Sequence, residues 1–507
     1  MYESCLLAAG SFAYIYLVNR HRRLKKAASP LARAIDASEG VSDLEDMFAS
    51  DESSTEIEED RDDLAINLST SLDAHILPGR AKVYVKTFGC SHNTSDAEFM
   101  MGQLAAYGFQ VTSDPETADA CVVNSCTVKN PSQDGAVLLA RKLKDQGKAV
   151  IVTGCVPQAD KSNKDLEPFS LLGVEQIDQV VFAVEESLKG NRVVLLEKRK
   201  NGNVTLNLPK IRKNRLVEII PVSSGCLGAC TYCKTKHARG DLGSYPVQAI
   251  ISRVHQAVAE GVVQIWFTSE DLGAYGLDIN TNIAYMVEQV VYVLETQYPH
   301  VMLRLGMTNP PYMLEHAGRI AKILNHPQVF SFLHIPVQSG SDSVLRVMKR
   351  EYTCADFSLL VDTLKFHVPN CTIATDVICG FPGETDEDHA DTMALITKYK
   401  FPVLNISQFY ARPGTPAARM KRLSAAIVKK RSSEVTSLFE SYATNSRFSG
   451  SEVKVWFDEV DTVRKQTIGH TKEYTKVVID GIDSSLLGTC AMVRVASVHK
   501  WHLHGSL

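Results

Sequence analysis

Six of the twelve cysteines in this chain fall into two sets of three whose spacing could support iron–sulfur chemistry. Cys226, Cys230 and Cys233 form the pattern C-x3-C-x2-C directly after the apolar run VEIIPVS. Three thiolates can hold a four-iron cluster and leave one iron free to bind a small molecule. A structural zinc ion would need a fourth ligand, for which His237 is the near candidate. A single histidine in such a position is more typical of a solvated or hydrogen-bonded residue.

The open iron of a cluster at Cys226, Cys230 and Cys233 could chelate the amino and carboxylate groups of S-adenosylmethionine. An electron delivered to that cluster then breaks the carbon–sulfur bond and generates a 5′-deoxyadenosyl radical, while the protein supplies orientation. This motif after a strand, with an aromatic residue before the last cysteine, is typical of the radical S-adenosylmethionine superfamily. We predict that Tyr232 within the motif, and Ser269 and Glu270 after the next strand, contact the cofactor.

The other set, Cys90, Cys126 and Cys155, follows three short apolar runs, KVYVKTFG, DACVVNS and KAVIVTG. Helical stretches at 96–108 and 133–146 separate these runs, so the pattern predicts a β-α-β-α-β unit with a parallel sheet. Ligands of such sheets bind beyond the carboxyl ends of the strands, where the three cysteines can converge on a second cluster. Buried structural cysteines are the alternative. Cys121, inside its run, is interpreted as core.

Apolar strands recur near residues 217, 263, 301, 329, 372 and 403, with helical segments between them. Six β-α units predict an open (β/α)6 partial barrel whose carboxyl-terminal face carries the active site. From about residue 444 the runs SEVKVWF, YTKVVID and CAMVRVAS alternate with turns and predict a small β-barrel. The fold class is therefore α/β with a parallel α/β amino-terminal domain. The predicted segments are 1–26 (hydrophobic anchor and basic flank), 27–79 (acidic disordered linker), 80–195 (auxiliary-cluster domain), 212–443 (radical core) and 444–507 (β-barrel).

Composition excludes several classes of protein. The chain has 507 residues, 45% hydrophobic and 22% charged, which is typical of globular domains and excludes a polytopic membrane protein. Twelve cysteines in a chain of this length are too sparse for a disulfide-stapled secreted module. The net charge of −4 argues against a protein that coats nucleic acid non-specifically.

Charge is distributed unevenly along the chain. Residues 36–63 contain thirteen acidic residues and one basic residue, and such a run cannot bury a core. Subtracting its charge of −12 from the total of −4 leaves +8 for the remainder. Basic residues gather at 198–215 and 419–431, either as solvated linkers or as contacts to a phosphate backbone.

The amino terminus carries an uncharged, nearly all-apolar run at residues 5–18, followed by five lysines and arginines up to residue 26. The run is shorter than the usual span of about 20 residues. We predict a single membrane anchor that leaves the other domains in the cytosol, because the positive charges follow the run. An interfacial helix, a core helix or a targeting peptide are the alternatives.

The order of these units resembles the methylthiotransferase family: a three-cysteine domain, a radical S-adenosylmethionine core and a TRAM domain. The resemblance covers about residues 80–504. Its motifs include KTFGCSHNTSDAE, GCLGACTYCKTKHARG, TSEDLGAYG, HIPVQSGSDSVL and FYARPGTPAARM. The run KTKHARG after the third cysteine is similar to that of the archaeal and animal threonylcarbamoyladenosine tRNA methylthiotransferases rather than to the isopentenyladenosine branch.

This resemblance implies a function. The enzyme would replace the C2 hydrogen of N6-threonylcarbamoyladenosine, next to the anticodon in tRNA, with a methylthio group. It implies two 4Fe-4S clusters. S-adenosylmethionine would bind at the cluster of Cys226, Cys230 and Cys233, and the auxiliary cluster of Cys90, Cys126 and Cys155 would present sulfur. It also implies tRNA and an electron donor protein as partners, and an endoplasmic reticulum membrane location with the catalytic domains facing the cytosol. A soluble cytoplasmic protein is the alternative location.

Other functions compete with this one. A methylthiotransferase could act on another tRNA base or on a protein side chain, and a markedly acidic terminal barrel would favour the protein substrate. The charge of the terminal barrel is close to balanced. A non-catalytic iron–sulfur RNA-binding protein is the alternative from another class, and the presence of all six candidate ligands argues against it.

Overall fold

The computed structural model describes residues 80–128, 130–199 and 204–507. In the amino-terminal part, strands form at apolar β-branched runs and helices form at the segments between them. The elements are β1 Lys82–Thr87, α1 Ser91–Tyr107, β2 Gln110–Thr112, β3 Ala120–Ser125, α2 Asn130–Asp145, β4 Ala149–Gly154, α3 Cys155–Ala159, β5 Ser170–Leu172, α4 Val180–Leu188 and β6 Val194–Leu195.

The six amino-terminal strands form one sheet in the order β2-β1-β3-β4-β5-β6, with every neighbouring pair parallel. β2 lies on one side of β1, whereas β3 and the later strands lie on its other side, so the order of the strands switches direction between β1 and β3. Such a switch point opens a crevice at the carboxyl ends of the strands, which is the usual ligand site of doubly wound sheets. Cys90 follows β1 and Cys126 follows β3, so two of the predicted ligands flank this crevice.

The second part is a larger parallel α/β structure. It contains β7 Val217–Pro221, β8 Ser223–Ser224, α5 Thr235–Arg239, β9 Gly243–Ser244, α6 Val247–Ala259, β10 Gln264–Thr268, α7 Ile283–Gln297, β11 Met302–Arg304, α8 Pro310–Met313, α9 Ala317–Asn325, β12 Phe332–His334, α10 Asp342–Val347, α11 Cys354–His367, β13 Thr372–Cys379, α12 Asp386–Tyr399, β14 Val403–Gln408 and α13 Ala425–Glu440. Capping boxes begin α11 and α12, where Thr353 pairs with Asp356 and Thr385 with Asp388.

Six of these strands form an open arc. β7, β10 and β11 make one parallel sheet, and β12, β13 and β14 make another. Isolated parallel bridges from Leu303 to Val329 and from Met307 to His334 join the two sheets. The order along the arc is therefore β7-β10-β11-β12-β13-β14, and the prediction of an α/β fold with an open (β/α)6 partial barrel is confirmed.

The chain ends in a closed five-stranded barrel with the order β15-β16-β17-β19-β18. Its strands are β15 Glu452–Asp461, β16 Gln466–His470, β17 Lys476–Asp480, β18 Cys490–Val498 and β19 Leu503–Ser506. The predicted small carboxyl-terminal β-barrel is confirmed.

The terminal barrel packs at the amino ends of the arc strands. Gln264, the first residue of β10, donates its side-chain N–H to Asp458 Oδ2 of the terminal barrel at 3.0 Å. Lys472 Nζ donates hydrogen bonds to the carbonyl oxygens of Leu324 and His326, at 3.0 and 2.8 Å. The cysteine loop lies at the carboxyl ends of the arc strands. The terminal barrel therefore lies on the opposite face of the arc.

Part of the basic segment 198–215 is buried between the amino-terminal helix and the arc. The Lys210 side chain is fully buried, with Nζ 3.0 Å from both Glu98 Oε2 on α1 and Glu218 Oε1 on β7. Glu218 also pairs with Arg212, and with Arg253 at 3.0 Å. Burial alone would raise the pKa of Glu218, but Lys210 and Arg253, with Arg212, lower it to about 2. Lys210 and Arg212 are therefore neither a solvated linker nor a phosphate contact.

The prediction of an endoplasmic reticulum membrane location is wrong. Within 80–128, 130–199 and 204–507, the structure contains no helix long and apolar enough to cross a membrane. The predicted anchor at 1–26, on which that location was based, and the predicted acidic linker at 27–79 lie outside the described residues.

The buried charge cluster around Glu218 generates a stability prediction. We expect Glu218→Gln to destabilise the protein by about 3–5 kcal/mol, because it leaves buried cations without their carboxylate. Glu260→Gln is the matched control, since Glu260 pairs with Arg212 at a side chain 40% exposed and should cost less than about 1 kcal/mol. The measurement is urea unfolding followed by intrinsic fluorescence, and equal costs for the two variants would contradict the prediction.

Candidate functional site

The three cysteines of the C-x3-C-x2-C motif lie in the loop between β8 and α5, on the carboxyl-end side of the arc. A methyl group built on Gly228 would lie 3.6 Å from the Sγ of Cys226 and 3.9 Å from that of Cys230, so both sulfurs face this glycine. The Cys233 backbone nitrogen donates to the Cys230 carbonyl at 3.1 Å. Burial, and then the charge of Asp271, raise the pKa of the Cys226 thiol to about 12.

Backbone contacts hold this loop against the far strands of the arc. The Thr231 nitrogen donates to the Met348 carbonyl, and the Ala417 nitrogen donates to the Thr231 carbonyl, both at 2.9 Å. Tyr232 packs edge-on against Phe381, with ring centres 6.2 Å apart, in an apolar cluster. Tyr232 therefore anchors the loop, and burial raises its pKa well above the usual range.

The geometry does not favour a mononuclear zinc site at this motif. His237 is exposed. In the part of the chain that the structure describes, no three His, Cys, Asp or Glu side chains converge on one point as ligands of a single ion do. Each cysteine of a four-iron cluster binds a different iron, so the ligands of a cluster need not share such a point.

Ser269 and Glu270 follow β10 and lie beside the cysteine loop. The Ser269 hydroxyl lies 2.7 Å from that of Ser223 and accepts the Asp271 backbone N–H at 3.1 Å, so it braces the end of the strand. The Glu270 side chain is 9% exposed, and its Oε1 lies 3.0 Å from His92 Nδ1. Its other oxygen, Oε2, is buried without a hydrogen-bond partner among the described residues. This oxygen is free to accept from a ligand amino group.

The loops of Cys90, Cys126 and Cys155 meet beyond the carboxyl ends of β1, β3 and β4. Gly89, between β1 and Cys90, has φ +103°, and a Cβ there would lie 2.6 Å from the Cys126 Sγ. Two of the cysteine loops therefore touch at a position that only glycine can occupy.

Asn93 ties the three loops together and is fully buried. Its side-chain nitrogen donates to the carbonyls of Phe88 and Ser125, both at 3.0 Å, just before Cys90 and Cys126. The Cys155 Sγ lies 3.6 Å from the Asn93 Oδ1. This one side chain contacts all three loops of the predicted auxiliary site.

The two cysteine sets are neighbours in space. Helix α3, which begins at Cys155, packs against α5, which follows Cys233. Cys155 and Ala238 share one small apolar cluster with Val174. Arg239 at the end of α5 donates to Asn93 Oδ1 at 2.9 Å and also contacts Glu270 Oε1 at 3.2 Å.

A second, half-buried arginine reaches Cys230 in the C-x3-C-x2-C loop. Arg350 Nη1 donates to the Cys230 Sγ at 3.1 Å, and Nη2 donates to Asn309 Oδ1. The Asn309 side chain in turn donates to Asp271 Oδ2 at 2.9 Å. Because Asp271 is adjacent to Glu270, a series of polar contacts runs from the loops of Cys90, Cys126 and Cys155 to Cys230.

Asn93, Arg239 and Arg350 are functional residues of this site that were not predicted from the sequence. Asn93 and Arg239 stand inside motifs that carry the family resemblance, GCSHN and KHARG, which is the signal that could have found them. Arg350 follows α10 in a run without such a motif, so its contact with Cys230 depends on tertiary structure.

A parallel partial barrel whose carboxyl-end loop presents three cysteines defines a radical S-adenosylmethionine enzyme. The model of the Radical SAM superfamily matches residues 220–396, and that of Uncharacterized protein family UPF0004 matches residues 82–170. An iron–sulfur cluster and S-adenosylmethionine are therefore the cofactors of this chain.

The relatives define the family within this class. Threonylcarbamoyladenosine tRNA methylthiotransferase from Xenopus laevis is 50% identical over 85% of this chain and 77% of its own length. The Homo sapiens enzyme of that name is 51% identical over 80% and 70%. A probable enzyme of that name from Pyrococcus horikoshii is 37% identical over 74% and 88%. The chain belongs to the threonylcarbamoyladenosine tRNA methylthiotransferase family.

The close approach at Gly89 generates a prediction about metal content. We expect Gly89→Ala to reduce bound iron and sulfide below the wild-type level, because the added methyl group displaces Cys126 and a positive φ is strained for alanine. Gly147→Ala is the matched control, since Gly147 also has a positive φ of +82° but faces open space. Iron and sulfide are assayed after anaerobic reconstitution, and equal iron in the two variants would contradict the prediction.

Proposed function

We propose that this protein replaces the C2 hydrogen of N6-threonylcarbamoyladenosine in tRNA with a methylthio group, giving 2-methylthio-N6-threonylcarbamoyladenosine. The names of the relatives and the radical superfamily support this function. The observation that carries the proposal is the meeting of two three-cysteine sets through Arg239 and Glu270. A reaction that adds sulfur and removes a hydrogen needs a sulfur source and a radical source side by side.

The proposal assigns two 4Fe-4S clusters. The radical cluster is held by Cys226, Cys230 and Cys233. The auxiliary cluster is held by Cys90, Cys126 and Cys155. The glycine at 89, where a side chain would clash with the Cys126 sulfur, fits this assignment, and the Cys226 and Cys230 sulfurs both face Gly228. When bound, S-adenosylmethionine supplies a methyl group for the sulfur and a carbon radical for the C2 hydrogen.

The residues of the chain orient these groups and exclude water. Burial disfavours the charge on Glu270, but His92 and Arg239 outweigh burial and hold the pKa of this carboxyl below its usual range. Glu270 therefore stays ionised, and its free Oε2 accepts from the amino group of S-adenosylmethionine. Tyr232 and Ser269 support this site, Tyr232 by anchoring the cysteine loop and Ser269 by bracing the strand end.

The proposal assigns each cluster to one of the predicted segments. Residues 80–195 carry the auxiliary cluster, residues 212–443 the radical cluster and S-adenosylmethionine, and residues 444–507 a TRAM-like barrel. An electron donor protein reduces the radical cluster.

The basic loop between β14 and α13 supports a docking surface for the tRNA backbone. The carbonyl of Pro413 accepts from Lys234 Nζ at 2.6 Å, so this loop is fixed to the residue after Cys233. Lys421 and Arg422 are exposed further along the same loop. Cations at the edge of a site that must receive a nucleotide can bind the flanking phosphates.

Nucleoside analysis tests the function. Cells lacking the gene should contain no 2-methylthio-N6-threonylcarbamoyladenosine by mass spectrometry of tRNA hydrolysates. The wild-type chain should restore it, and Cys226→Ala should not, because that variant lacks one ligand of the radical cluster. Unchanged levels in the deletion would reject the proposal, and loss of a different methylthio nucleoside would indicate another tRNA base.

A charge reversal tests the docking surface. We expect the double variant Lys421→Glu and Arg422→Glu to raise the Kd for substrate tRNA about tenfold or more and to flatten its salt dependence, because two phosphate contacts are lost. The control is Lys142→Glu with Lys144→Glu, an equal charge change on exposed residues at the far end of α2. Filter binding at several salt concentrations measures both, and equal weakening would contradict the surface.

A further inference from the structure

Arg239 is a buried cation with partners in both parts of the structure, and its side chain is 2% exposed. Nη2 donates to the Asn93 Oδ1 at 2.9 Å and to the Asp96 Oδ2 at 2.6 Å, both on α1. Nε lies 3.2 Å from the Glu270 Oε1 at the end of β10. The guanidinium therefore fixes the amino-terminal helix relative to the loop that carries Glu270.

The same guanidinium lies beside the thiols of Cys155 and Cys90, two of the proposed ligands of the auxiliary cluster. The Asn93 oxygen that it binds is 3.6 Å from the Cys155 Sγ. Burial raises the pKa of the Cys155 thiol, and the positive charge of Arg239 opposes this rise. Cys90 is also close enough for its charge to act on Arg239.

A positive charge at this place has a consequence for electron transfer. The reduction potential of an iron–sulfur cluster depends on net charge, hydrogen bonds to sulfur and exposure to solvent. A buried charge acts strongly because the surroundings screen it little. A cation beside Cys155 and Cys90 stabilises the electron that a reduced cluster carries. The neighbouring carboxylates of Glu270 and Asp96 oppose this effect.

We propose that Arg239 is a positioning residue that raises the reduction potential of the auxiliary cluster while it holds Glu270 in place. The inference rests on the proposed auxiliary cluster at Cys90, Cys126 and Cys155. Arg350 performs the corresponding task for the other cluster, because it donates directly to the Cys230 Sγ. Each cluster site thus has its own arginine, which is buried at position 239 and half-buried at position 350.

The test is a redox titration of full-length protein that carries the auxiliary cluster alone. The background is Cys226→Ala, Cys230→Ala and Cys233→Ala, and the reduced cluster is followed by electron paramagnetic resonance during titration with dithionite and mediators. Arg239→Gln should shift the midpoint potential to a more negative value. Arg239→Lys retains the charge and should restore most of the potential.

Asp96→Asn provides a second variant that separates electrostatics from folding. It removes one of the two carboxylates that oppose Arg239 and leaves Glu270 in place, so the midpoint potential should shift to a more positive value. A purely structural role for the network predicts no such opposite sign. If Arg239→Gln does not retain iron, the midpoint potentials of Arg239→Lys and Asp96→Asn test the inference.

The reciprocal control uses the background Cys90→Ala, Cys126→Ala and Cys155→Ala, which leaves the radical cluster alone. There Arg350→Gln should shift the midpoint potential to a more negative value, and Arg239→Gln should shift it less than it shifts the auxiliary cluster. An auxiliary potential that does not change in Arg239→Gln, or that moves in the same direction in Asp96→Asn, would overturn the inference. Wild-type protein that binds about four irons rather than eight would instead reject the two-cluster proposal.

Discussion

The site depends on one constraint: the amino-terminal sheet and the arc must turn the carboxyl ends of their strands toward each other. Each gathers cysteines at that edge, but neither edge alone brings the two sets together. Buried ion pairs between α1 and the arc enforce the arrangement, with Lys210 between Glu98 and Glu218 on one side and Arg239 between Asp96 and Glu270 on the other. Such pairs are costly to break because each partner would be left charged and buried. They therefore fix the orientation of the amino-terminal sheet and the arc rather than add general stability.

The strands and most of the fold could be predicted from the sequence because their signals are local. Apolar runs that end in Cys90, Cys126 and Cys155 mark buried parallel strands, and the six recurrent strands of the arc carry the same pattern. Two strands of the terminal barrel, β16 and β19, were missed because they are short and rich in glycine and histidine. These strands owe their pairing to barrel closure rather than to propensity.

The network around the cysteines could not be predicted in the same way. Arg239 and Lys210 are separated in sequence from their carboxylate partners on α1 by more than a hundred residues. A cation in a basic run looks the same whether it faces solvent or a buried carboxylate, and only packing decides between them. Glu270 was anticipated from its place after a strand, whereas its pairing with His92 depends on the docking of the amino-terminal sheet and the arc.

The position of the terminal barrel limits what the substrate can be. It packs at the amino ends of the arc strands through Asp458 and Lys472, whereas the cysteines lie beyond the carboxyl ends. Strands of five to six residues put about 17–20 Å between these two faces. A free nucleoside cannot contact both faces at once. A molecule bound by the terminal barrel and the cysteine face together must be long enough to reach around the edge of the arc, as a folded nucleic acid arm is.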